Sequence, residues 1–67
     1  MIDLGYQLRY IRKKMDVSQR ALAEKAGVHA NTIMAFENGK HVPSADTVAD
    51  LFEALGYELG VQRMTAR

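Results

Sequence analysis

Ser18-Gln-Arg-Ala-Leu-Ala-Glu-Lys-Ala-Gly-Val-His-Ala-Asn-Thr-Ile-Met-Ala-Phe-Glu-Asn-Gly-Lys40 is the stretch whose reading decides the fold. Ser18 carries the side-chain oxygen that a helix N-cap needs. Behind it, Gln19 to Ala26 reads as a helix with Leu22, Ala23 and Ala26 on its inner face. Gly27 ends that helix, because glycine takes a positive φ without a Cβ clash. A further helix begins near His29 or Ala30 and ends near Asn38, with Gly39 as its stop. Three residues, Gly27 to His29, therefore separate two short helices. That is the length of the tight turn in a helix-turn-helix.

The flanks extend the same pattern. Leu4, Leu8, Ile11 and Met15 recur at helical spacing and predict a first helix from about Leu4 to Met15. Asp3 can cap it, and Arg12, Lys13 and Lys14 suit the negative end of its dipole. Asp16 follows where a left-handed residue is expected. Val42-Pro43 reads as extended, and Ser44 caps a fourth helix from Ala45 to Leu55. Its inner face is Val48, Leu51, Phe52 and Leu55, and Gly56 stops it. From Tyr57 to Gln62 the chain alternates apolar and polar residues, which favours a short strand. The expected fold class is all-α: a four-helix helix-turn-helix domain over residues 1–56, with a short C-terminal β-strand in the 57–67 tail.

Composition narrows the function classes. Sixty-seven residues with 48% hydrophobic and 25% charged content fit one small globular domain. With no Cys, disulfides, thiolate metal sites and cysteine nucleophiles are excluded. No apolar run approaches the roughly 18 to 20 residues that span a bilayer, and the start of the chain has no signal-peptide stretch. The expected compartment is the cytoplasm. His29 and His41 are twelve residues apart with no further ligand at metal spacing. Neither a nucleophile–base pair nor a phosphate-binding loop is present, and Asp46 and Asp50 read as a solvated helix face. No enzymatic activity, cofactor or metal is therefore expected. The net charge of +1 hides an asymmetry: residues 1–41 balance to +3 and residues 42–67 to −2. A basic half can face a polyanion while the acidic half faces away.

Taken together, Ser18 to Lys40 resembles the helix-turn-helix of the phage repressor, Cro and Xre regulator family, and the resemblance extends from Leu4 to Gly56. Gln19 opens the second helix, Ala23 lies where the two helices touch, Gly27 sits in the turn and Ile33 in the core. Glu37-Asn38-Gly39 supplies the family's ending, and Val42-Pro43-Ser44 its lead into the fourth helix. The resemblance implies a lambda-repressor-like domain whose partner is double-stranded DNA, with a recognition helix at about residues 29–38 in the major groove. It also implies a buried or half-buried ion pair between Arg12 and Glu37.

Within that frame Val28, Ile33 and Phe36 point inward, so Ala30, Asn31, Met34 and Asn38 project outward with Ala35 on the flank. Ala30, Asn31, Met34 and Ala35 are the candidate base contacts. The face has no Arg or Lys before Lys40, so the commonest bidentate contact to guanine is missing. Asn31 suits an adenine edge and Ala30, Met34 and Ala35 suit thymine methyl groups, which points to an A·T-leaning half-site. Gln19, at the positive end of the second helix, is a phosphate candidate together with Thr32, Asn38, Lys40 and the backbone around Gly39.

The tail departs from the family's usual closing helix. A lone strand needs a sheet partner, and the same strand of a second copy would supply one under two-fold symmetry. Tyr57, Leu59 and Val61 are the candidate dimerisation residues. Some antitoxin members of the family look similar here. The expected function is a sequence-specific transcriptional regulator, a repressor binding an inverted-repeat operator as a homodimer. The alternative is an antitoxin that binds a toxin protein.

Overall fold

Side-chain caps open three of the four described helices, and a left-handed residue follows each of them. The computed structural model describes residues 3–57 as α1 (Leu4–Lys14), α2 (Gln19–Ala26), α3 (Ala30–Glu37) and α4 (Ala45–Ala54). Asp3 Oδ1 accepts the Tyr6 N–H at 3.1 Å, Ser18 Oγ the Ala21 N–H at 2.9 Å, and Ser44 Oγ the Thr47 N–H at 3.2 Å. Each satisfies one of the donors that a helix start leaves open. His29 stands at the start of α3 without a side-chain cap bond. Each helix is followed by a residue with positive φ: Asp16, Gly27, Gly39 and Gly56. The chain then turns back on its own last carbonyls, with Val17 N–H on Arg12 O at 3.0 Å and Tyr57 N–H on Phe52 O at 2.9 Å.

The expected all-α, four-helix helix-turn-helix architecture is the one observed, with small shifts at the ends. Met15 and Leu55 are capping residues, not last helical ones, and α3 is flanked by His29 and Asn38. No strand occurs among the described residues, and the strand expected over 57–62 lies outside them apart from Tyr57.

All four helices supply the core: Leu8 from α1, Leu22 and Ala23 from α2, Ile33 and Phe36 from α3, and Val48, Leu51 and Phe52 from α4, closed by Leu55. Leu8, Leu22, Ile33 and Leu51 are wholly inaccessible. Burying each such side chain contributes about 1.5–3 kcal/mol, the main stabilising term in so small a domain. Pro43, in the connection between α3 and α4, is also buried. Helix α3 packs between α1 and α2, and α4 packs on α2. This leaves one face of α3 open to solvent beside the start of α2.

Candidate nucleic-acid interface

Ile33 and Phe36 are buried, which turns Asn31, Met34 and Asn38 to the exposed side of α3. Met34 is 44% exposed, and the core is complete without it. Thr32 and Ala35 are half-buried on the flanks of that face. Ala30 is placed differently from its outward reading: it is half-buried and packs against the core. The reason is helical geometry, since positions 30, 33 and 37 share one side of a helix. The open face of α3 is therefore Asn31, Met34 and Asn38, with Ala35 beside it.

The start of α2 lies at the same end of the site. Ser18 caps it through Ala21, while the N–H groups of Gln19 and Arg20 have no acceptor among the described residues. Two free donors at the positive end of a helix dipole suit an anion. The turn after α3 is different. Gly39 N–H donates to Phe36 O at 3.1 Å and Lys40 N–H to Ala35 O at 2.8 Å. The backbone around Gly39, expected to offer donors to phosphate, has committed them to the helix end. The Lys40 side chain stays exposed, as do those of Arg20 and Lys14.

Between these two ends lies a polar hub that joins three helices. Arg12 Nε donates to Glu37 Oε2 at 2.8 Å and Arg12 Nη2 to Glu37 Oε1 at 2.9 Å, a bidentate pair. Only 1% of the Glu37 side chain and 10% of the Arg12 side chain meet solvent. Arg12 Nη1 also donates to the Val17 carbonyl at 2.9 Å. Gln19 Nε2 completes the hub by donating to Glu37 Oε1 at 3.0 Å. The hydrogen bond to Glu37 holds the Arg12 guanidinium above its ordinary pKa, outweighing the burial that would lower it, and the carboxylate's charge adds in the same direction. The Gln19–Glu37 hydrogen bond had no signal in the sequence, because the two residues are eighteen positions apart and belong to no local pattern.

Three acidic side chains lie on the outer side of α4. Asp46, Asp50 and Glu53 are exposed on α4, opposite its buried Val48, Leu51 and Phe52. His29 and His41 are exposed, and no group of three metal-ligating side chains occurs among the described residues. No helix among them is long and apolar enough to cross a membrane. Tyr57 is exposed at the end of the described chain, while Leu59 and Val61 lie outside it.

Two short helices packed on each other, with Ala23 buried in the core, a three-residue turn between them and an open face on the second, define a helix-turn-helix domain. The sequence profile of a family described as helix-turn-helix matches residues 8–62. Over 51 residues the chain is 39% identical to an uncharacterized HTH-type transcriptional regulator of Methanothermobacter thermautotrophicus, covering 76% of this chain and 74% of that protein. No solved structure matches it significantly. The chain belongs to the Cro/C1/Xre-type helix-turn-helix family of DNA-binding transcriptional regulators.

Proposed function

We propose that this chain is a sequence-specific regulator that seats α3 in the major groove of double-stranded DNA and represses by occlusion. The observation that carries the reading is the solvent-facing Asn31–Met34–Asn38 side of α3 next to the two free N–H donors that open α2. Asn31, Met34 and Ala35 face base edges; Ala30 supports them from the core side. Gln19, Thr32, Asn38 and Lys40 meet the phosphates. With Tyr57, Leu59 and Val61 joining two copies, the paired α3 helices lie about 34 Å apart, on the half-sites of an inverted repeat.

The test is selection of bound duplexes from a random pool, followed by a salt titration of the winner. The expected result is an A·T-leaning inverted repeat. Its affinity should fall on the order of 10³-fold between about 50 and 200 mM salt, as counterions released by several phosphate contacts require. No enriched sequence, or binding indifferent to salt, overturns the proposal. A recognition face with no cation before Lys40 also fits an antitoxin whose main partner is a protein. A chain that enriches no DNA yet holds a stoichiometric toxin would favour that second reading.

A further inference from the structure

We propose that Glu37 is a positioning residue for DNA binding: its buried carboxylate, neutralised by Arg12, fixes the Gln19 side chain so that one amide N–H faces the phosphate at the start of α2. The inference rests on the reading that this end of α2 meets DNA. A carboxylate only accepts hydrogen bonds, so Gln19 must turn its NH2 group, not its oxygen, toward Glu37. Glu37 Oε1 receives Gln19 Nε2 at 3.0 Å and Arg12 Nη2 at 2.9 Å, and Oε2 receives Arg12 Nε at 2.8 Å. One N–H of Gln19 is thereby occupied. The second N–H and the carbonyl oxygen remain, and of these only the N–H can meet a phosphate oxygen.

Two consequences make this a positioning device and not a general brace. First, Arg12 Nη1 holds the Val17 carbonyl at 2.9 Å, directly before the Ser18 cap. The hub thus fixes the loop before α2 and the first side chain of α2 together, beside the free backbone donors of Gln19 and Arg20. A glutamine ordered before binding loses less rotamer freedom when it meets its partner. Second, a lone carboxylate so near a phosphate would repel it, and the bidentate guanidinium cancels that charge.

The test compares the unsubstituted chain with Q19A, R12M/E37M and all three substitutions combined, using the duplex recovered from the random pool as the probe. Apolar replacement of both ions at once keeps such a site folded where single removal does not, and thermal unfolding checks this. Q19A should weaken binding about tenfold, the worth of one hydrogen bond to a charged group. R12M/E37M should weaken it by a similar factor while folded. Adding Q19A to it should then change affinity by less than about twofold, because the Gln19 amide no longer has the anchor that aims it. Undiminished binding by folded R12M/E37M, or a full Q19A effect in that background, overturns the proposal.

A second measurement needs neither DNA nor the variants. The two side-chain amide protons of Gln19 should exchange slowly and show restricted motion by NMR, unlike those of Gln7, which is exposed on α1. Identical behaviour of the two glutamines overturns the proposal even if R12M/E37M fails to fold. A pool that enriches no sequence counts instead against DNA binding itself, and the NMR comparison still decides the Gln19–Glu37 coupling.

Discussion

Gly5 of α1 lies so close to the backbone of α3 that a Cβ placed on it would overlap the Phe36 carbonyl oxygen. Gly5 is buried and its φ is not positive, so the residue is required for space and not for conformation. Glycine inside a helix costs about 1 kcal/mol relative to alanine, which on propensity alone makes Gly5→Ala stabilising. The crossing reverses the sign. A backbone carbonyl cannot rotate aside as a side chain can, and forcing a methyl group into packed space costs typically about 1–3 kcal/mol. Gly5→Ala should therefore lower the urea midpoint and the Tm, and a rise in either would show that α1 can shift away from α3.

The bidentate pair predicts a larger loss. Arg12→Ala removes the charge partner of Glu37, whose side chain is 1% exposed in the native structure. Removing one member of a buried pair costs about 3–5 kcal/mol, a large share of the roughly 5–15 kcal/mol that holds a typical domain together. The variant should lose most of its helical circular dichroism near 37 °C. The wild-type pair carries a pH signature as well. A pKa raised by folding adds stability below the ordinary value and loses it only as pH climbs through the raised one. For arginine both lie far into alkali, so the Arg12 contribution should stay flat from roughly pH 6 to 9. A Tm that sags in that window in wild type but not in R12M/E37M would contradict this.

Asp16 is the one described residue other than glycine with positive φ, at 60°. The left-handed conformation costs an L-residue roughly 1–2 kcal/mol, less for Asp than for most. Part of the gain from glycine there is offset by the greater freedom of the unfolded chain. Asp16→Gly should still stabilise the protein, by about 0.5–1 kcal/mol, and raise the Tm by a few degrees. Asp16→Val should do the opposite, since a β-branched side chain fits that region worst. Chemical denaturation of both variants checks the pair of signs.

These three sites also show what the sequence made legible. Asp16 was readable because its signal is local: a helix pattern ends and the next residue must turn. The same holds for Gly27, Ser18, Ser44 and the stripe Val48, Leu51, Phe52, Leu55, all of which stand where helix chemistry puts them. Gly5 was not legible, because its requirement comes from a carbonyl thirty-one positions away. Buried Pro43 and the grip of Glu37 on Gln19 were hidden for the same reason. Each is decided by how helices cross, and periodicity within one helix does not encode that. The recognition face follows from spacing within α3: the inward set of Ile33 and Phe36 turns Asn31 and Met34 outward, and the same spacing puts Ala30 on the inward side beside Ile33.

Separating base reading from charge gives the sharpest test of the open face. Asn31 is exposed on α3 and uncharged, so Asn31→Ala should cost about 1–3 kcal/mol on the selected duplex and relax preference at one position of the half-site. Its salt dependence should match wild type, because no counterion is released through a neutral side chain. Lys40 is exposed just beyond the end of α3 and carries charge. Lys40→Gln should weaken binding about equally on the selected and on an unrelated duplex. It should also reduce the slope of log affinity against log salt by about one for each phosphate that Lys40 neutralises. If instead Lys40→Gln changed sequence preference while Asn31→Ala changed only the salt slope, the roles assigned to the two residues would have to be exchanged, with Lys40 reading a base edge and the body of α3 tracking the backbone.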